Sequence, residues 1–180
     1  MSWEKDLEEL KKRAELAKEM GGIERIAKHY ARGRLTVRER IDQLLDKDSF
    51  HETGEITGKV TYDKNGEIQE FIPSNFIFGR GKVDGREVVV AGDDFTVRGG
   101  AADARIGNKS LYSLKLAEHL RLPLVNLVDG SGGGGSVKTL ETMGATYVPG
   151  LPSWQNIVRL LSMVPVVGAC MGSVAGLGSA

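Results

Sequence analysis

Apolar residues recur at helical spacing from the start of the chain, at Leu7, Leu10, Ala14 and Ala17, set among dense charges. This predicts an amphipathic surface arm, with Ser2 as its cap, ending near Gly21-Gly22. Thr36-Val-Arg-Glu39 reads as a capping box, and Ile41, Leu44 and Leu45 after it signal a second helix. From Glu55 the pattern turns to strands: Gly54 to Tyr62, then Phe76 to Val83, an Asp84-Gly85 turn, and Arg86 to Ala91. Asp-Gly between apolar runs is a strong hairpin signal. A helix follows from about Asn108 to Leu120, with Leu111, Leu114, Ala117 and Leu120 on one stripe. Pro123 to Asp129 is a nearly continuous apolar strand that runs into the glycine loop Gly130 to Ser136. A further helix is expected from Ser153, as cap, through Met163, then a strand from Val164 to Ala169 and a glycine turn from Met171 to Gly178. Two strands buried on both faces, separated by helix and each ending in glycines, imply α/β layering with sites at the strands' carboxyl ends.

Composition narrows the function classes. The 180 residues suit one domain or a piece of a larger one. Twenty-four Lys and Arg cancel 24 Asp and Glu, which disfavours a nucleic-acid-binding or polybasic membrane-surface protein. A hydrophobic share of 41% places the chain among globular proteins. The single cysteine, Cys170, excludes an intrachain disulfide and a multi-cysteine zinc ribbon. MSWEKDLEEL lacks the apolar core of a signal peptide, so secretion by that route is not expected. Leu160 to Ala180 carries no charge and has overlapping GxxxG spacings at Gly168, Gly172 and Gly176, but Pro165, four glycines and three serines make it a poor membrane span. The uncapped ending at Gly-Leu-Gly-Ser-Ala suggests a chain cut where a helix should begin.

Most candidate motifs fail on spacing. In the loop from Gly130, GxxxxG is followed by Lys138-Thr139 two residues too late for a phosphate-binding P-loop. Neither Ser131 nor Ser136 sits in the G-x-S-x-G of a hydrolase elbow. His29, His51 and His119 lie on separate elements without metal-ligand spacing. Asp93-Asp94 at a strand end is expected to be a solvated turn rather than half a metal site, and Gly79-Arg-Gly81 a β-feature. Between Arg25 and Arg40, six Lys or Arg stand against one Glu, either a solvated face or an anion site for ligand phosphates or a partner chain. The glycine turns at 130–135 and 172–178 could aim backbone amides at a developing oxyanion or could serve close packing alone.

Three long stretches, Gly33 to Phe50, Val83 to Gly100 and Asp129-Gly-Ser-Gly-Gly-Gly, resemble the opening part of the carboxyltransferase (beta) subunit of biotin-dependent acyl-CoA carboxylases of the propionyl-CoA type. The resemblance covers nearly the whole chain. It implies a crotonase-like α/β fold, truncated, with residues 1–50 as a helical arm and residues 51–180 as an incomplete first domain on the acyl-CoA side. It further implies carboxyl transfer from carboxybiotin to the α-carbon of a short acyl-CoA through an enolate, with no side-chain base. Amides of Gly132, Gly133 and Gly134 would hold the oxyanion. Gly99, Gly100, Ala101, Ala102, Gly172, Ala175 and Gly176, with Arg32 and Arg34, would bind substrate. The implied cofactor is biotin carried on a partner chain or domain, and the implied partner is a biotin carboxylase or biotin carboxyl carrier subunit. The coenzyme A thioester is substrate, no metal is bound, and the whole protein is expected to be a homo-oligomer in the cytoplasm or the mitochondrial matrix. The family's glycine loop reads D-S-G-G-A-R, whereas this one has an extra glycine and no arginine. The zinc ribbon of the bacterial acetyl-CoA carboxylase beta subunit is absent, which points away from that branch. The other readings are a biotin-dependent acyl-CoA decarboxylase or transcarboxylase subunit, and a non-catalytic assembly module docking through the arm.

Overall fold

A computed structural model describes residues 3–101, 106–130, 140–141, 144–145, 153–172 and 174. Three helices come first: α1 (Glu4–Lys18), α2 (Ile23–Tyr30) and α3 (Val37–Leu44). Ser2 lies outside the described residues, and the residue flanking α1, Trp3, makes no side-chain cap bond. The separate helix α2 was not expected, because Ile23-Glu-Arg-Ile-Ala-Lys-His-Tyr has a short apolar repeat masked by its charges. The capping box of α3 is present. The Glu39 amide donates to Thr36 Oγ1 at 3.3 Å, and the Thr36 amide donates to the Glu39 carboxylate at 2.8 Å. Both satisfy amides that the helix leaves open.

Strands β1 (His51–Glu52), β4 (Phe76–Val83), β5 (Arg86–Asp93), β6 (Leu124–Val128) and β7 (Val166–Cys170) form one sheet in the order β1-β4-β5-β6-β7. Helix α4 (Lys109–Leu120) precedes β6, and α5 (Trp154–Leu161) precedes β7. The first three strands of the sheet pair antiparallel and the last three parallel. Asp84 and Gly85 close the β4–β5 hairpin with φ of 49° and 77°, the left-handed pair that a tight two-residue turn demands. A second sheet, β2 (Gly58–Tyr62) with β3 (Ile68–Pro73), lies against α1. Strand β3 was not anticipated, since Gln69 and Glu70 break its alternation.

The main sheet carries helices on both faces because its strands alternate between two apolar sets. Phe76, Phe78, Val89, Ala91 and Leu124 pack with Leu114 and Ala117 of α4 and Leu160 of α5. Ile77, Val88, Val90 and Leu127 pack on the other side with Val37, Ile41 and Leu45 in and after α3. The central strand β5 is therefore buried on both faces, as its Val88-Val-Val-Ala-Gly-Asp93 run requires. Strand β7 departs from expectation. It pairs with β6 along one edge, and Val167 remains 53% exposed, because no helix among the described residues covers that side. Ser153, expected to cap α5, makes no side-chain cap bond.

Candidate active site

Strands β5, β6 and β7 run parallel, so their carboxyl ends emerge together, at Asp93, Asp129-Gly130 and Gly172. Asp129 is 0% exposed. Its Oδ2 accepts a 2.7 Å bond from Arg40 Nη1 of α3, itself buried. Arg34 Nη1 stands 4.0 Å from Oδ1, which has no hydrogen-bond donor among the described residues. The Asp129 amide donates to Asp93 Oδ2 at 3.3 Å. An isolated buried carboxylate would be costly, so the guanidinium of Arg40 is what allows the charge to stay.

Around this carboxylate the three turns come together, Gly100 and Gly130 through backbone and Gly172 against the carboxylate itself. A Cβ on Gly172 would lie 2.2 Å from Asp129 Oδ1. A Cβ on Gly100 would lie 2.5 Å from the Asp129 carbonyl oxygen, and one on Gly130 would lie 2.4 Å from the Gly100 carbonyl oxygen. Side chains at these positions would force the strand ends apart. From the β4 side, Asn75 Nδ2 donates to the Ala101 carbonyl at 2.9 Å and pins the turn that holds Gly99 and Gly100. The cradle is therefore peptide backbone with a buried ion pair beneath it.

Asp93 and Asp94 are buried, which corrects the expectation of a solvated turn. Asp94 Oδ1 accepts from the amide and the hydroxyl of Thr96 at 2.9 and 2.6 Å, closing the turn on its own carboxylate. Burial pushes the Asp94 carboxyl above its ordinary range, against the opposing pull of the Thr96 bonds. The Thr96 hydroxyl oxygen in turn accepts from the Gly21 amide at 2.9 Å, tying the junction of α1 and α2 to the same turn.

The basic segment does not act as one patch. Arg40 is spent on Asp129 and Arg38 on Glu52, at 2.7 and 2.8 Å. Lys109, the first residue of α4, reaches the other oxygen of Glu52 at 3.4 Å, and burial lowers its pKa from the usual lysine value. Arg34 lies over the Phe95 ring, 5.8 Å from its centroid, beside His29, which stacks on the same ring. His29 Nε2 donates to the Leu35 carbonyl at 3.1 Å, so this histidine is a satisfied core residue. Arg25, Lys28 and Arg32 alone of the six cations face solvent.

Of the residues expected to bind substrate, the structure thus brings Gly99, Gly100, Ala101, Gly172 and Arg34 to one place, while Arg32, two residues before Arg34, is exposed. Gly132, Gly133, Gly134, Ala102, Ala175 and Gly176 lie outside the described residues. Arg40, Asp129 and Asn75 were not anticipated. Arg40 had a visible signal, a cation on the apolar stripe between Val37 and Ile41, and Asp129 had another, an acid ending an apolar strand. A cavity of about 610 Å³ lies elsewhere, on the α4–α5 face, lined in part by Phe78, Tyr112, Lys115, His119 and Met163. It contains none of the strand-end groups. Among the described residues no cluster of His, Cys, Asp and Glu is arranged to hold a metal ion, and no helix is long and apolar enough to cross a membrane.

A sheet layered by helices on both faces, with turns converging at three parallel strand ends, defines a mixed α/β domain, and the carboxyltransferases it superposes on place it in the crotonase-like class. The chain belongs to the carboxyl transferase domain family, which it matches over residues 28–179. It is 30% identical to the carboxyltransferase subunit of a propionyl-CoA carboxylase from Haloferax mediterranei, over 98% of this chain and 33% of that one. It is also 30% identical to the alpha subunit of methylmalonyl-CoA decarboxylase from Propionigenium modestum, over 96% of this chain and 32% of that one. Among solved structures, transcarboxylase 12S with hydrolysed methylmalonyl-coenzyme A bound superposes with a TM-score of 0.73 at 28% identity, over 99% of this chain and 34% of that one. The chain thus spans about a third of the length of these relatives.

Proposed function

We propose that this chain supplies the acyl-CoA side of a biotin-dependent carboxyltransferase, in which a carboxyl group passes from carboxybiotin to the α-carbon of a short acyl-CoA. The observation that carries the reading is the contact of Gly100, Gly130 and Gly172 around Asp129 at three adjacent strand ends. Close packing of these glycines brings the three strand ends to one place, and glycines next along the chain could then present amides to a thioester oxyanion with no Cβ in the way. Loss of the α-proton makes the thioester an enolate, whose negative charge gathers on its oxygen. Amides of Gly132, Gly133 and Gly134, next along the chain from Gly130, are the donors in this reading. Biotin, carried on a partner chain or domain, would supply the carboxyl group there and take up the α-proton. This chain's part is then to bind, polarise and exclude water, with no side-chain base. Gly99, Gly100, Ala101, Ala102, Gly172, Ala175 and Gly176 line the acyl portion. Arg32, exposed and unspent on an internal acid in this reading, attracts the coenzyme's phosphates, while Arg34 belongs to the Asp129 pair. Residues 1–50 act as the arm and residues 51–180 as the first domain. The similarity to a decarboxylase subunit gives a second reading, the reverse reaction, in which the same cradle holds the enolate left by loss of the carboxyl group.

In the assembled enzyme, Gly133→Val is expected to lower kcat by about 10² to 10³, the loss typical of one oxyanion donor. Arg32→Ala is expected to raise KM for acyl-CoA with kcat nearly unchanged, an effect that high salt erases. Steady-state carboxylation kinetics read both, and a Gly133→Val enzyme with normal kcat would remove the oxyanion assignment.

A further inference from the structure

The cavity of about 610 Å³ beside α4 takes no part in the strand-end site, and its volume is that of pockets that hold small organic ligands. Its lining has two parts. Leu116 and Met163, both half-buried, and the Phe78 ring make it apolar on one side. The rest carries Lys115, His119, Arg121 and Arg159 against one acid among the described residues, Glu118. Glu118 is taken by Arg159 at 2.7 Å, and among the described residues no acid pairs with Lys115, His119 or Arg121. The charge left over is therefore positive. Arg121 also sits where a side chain is unfavourable. It closes α4 with φ of 56° and ψ of 38°, the left-handed conformation that glycine adopts freely and a Cβ resists.

We propose that this cavity binds a straight-chain carboxylate, with its hydrocarbon tail on Leu116, Met163 and Phe78 and its carboxylate between His119 and Arg121. The tail removes apolar lining from water, and the carboxylate supplies the negative charge that the lining lacks. A neutral apolar ligand would leave the cations unanswered, and a compact anion such as phosphate would leave the apolar side bare. Helix α4 sets the length. From Tyr112 to His119, both in the lining, it rises about 10 Å, the reach of an extended chain of roughly eight to ten carbons. The backbone of Arg121 fits this role, because a cation is kept there where glycine would be easier, as at positions that hold ligands. The site is independent of carboxyl transfer. Arg121 precedes β6 and Met163 precedes β7, at the amino ends of parallel strands, whereas Asp129 and Gly172 lie beyond their carboxyl ends.

The test is isothermal titration of the chain with sodium decanoate, with circular dichroism to confirm folding and sedimentation velocity on the same samples. Saturable binding of one decanoate per chain is expected. Octanoate, two CH₂ groups shorter, should bind roughly tenfold more weakly. The alcohol 1-octanol keeps the tail without the charge and should bind about fivefold more weakly than octanoate. Arg121→Gly suits the left-handed backbone, so it keeps the helix end while removing the cation, and it should weaken decanoate binding by about fivefold. Arg32→Ala, outside the cavity, should leave binding unchanged. Absence of saturable binding overturns the proposal, as does 1-octanol binding as tightly as octanoate or an Arg121→Gly chain that binds decanoate like the original. Binding weakened by Arg32→Ala would place the carboxylate elsewhere and equally overturn it. A dimer that takes up no decanoate would give the cavity to a second copy of the chain, against the proposal.

Discussion

Removing Arg40 would strand Asp129. The pair is closed from solvent, and the second cation, Arg34, stands 4.0 Å away from the other carboxylate oxygen. Breaking a buried pair from one side is expensive because the remaining charge keeps its desolvation penalty, whatever the intact pair contributes on balance. Arg40→Met, which keeps most of the side-chain bulk, is expected to cost about 3 to 5 kcal/mol, read as a lower urea midpoint at neutral pH. Adding Asp129→Asn to that variant should recover part of the loss by removing the stranded charge. A single variant as stable as the original would mean that Asp129 is satisfied by another group. The same pair marks where residue types mislead when read alone. Six cations in sixteen positions read as one patch, yet three are directed at interior acids and only three face water.

Helix α3 shows how an element can be read from its ends. Thr36 and Glu39 fix its first turn, and Val37 and Ile41, with Leu45 just past its end, fix the face that meets the sheet. Thr36→Ala removes an acceptor for the Glu39 amide in a buried setting, and a loss of about 1 kcal/mol is expected, measurable as a lower thermal midpoint. Since the helix carries Arg40 to Asp129, that variant should also loosen the strand ends. No shift in midpoint would mean that water replaces the cap. The hairpin at Asp84-Gly85, helix α4 and strand β6 were legible for the same reason: each is specified by spacing or turn chemistry within a dozen residues. Helix α2 and strand β3 were not, because their short patterns are diluted by charge and their place is set by packing against other parts of the chain.

For the whole molecule, β7 is one edge of the main sheet among the described residues, parallel to β6 and apolar in sequence, with β1 at the other edge. Unpaired strand backbone beside an exposed Val167 favours edge-to-edge association. Val167→Lys should therefore lower light scattering on warming; scattering equal to that of the original chain would exonerate this edge. The sequence by itself determined the helices with strong periodicity, the hairpin turn, the central apolar strands and, through long ordered motifs, the family. It also placed the glycines that the strand ends bring together. Only the tertiary structure decided which charges lie inside and what each one faces. Arg40 and Asp129 are 89 positions apart, and Glu52 joins Arg38 to a lysine 57 positions further along. Periodicity reports local geometry, because backbone torsions and neighbouring side chains set it within a few turns. The partner of a buried charge depends instead on which strand ends fold into the same place, and that is settled by the packing of the sheet.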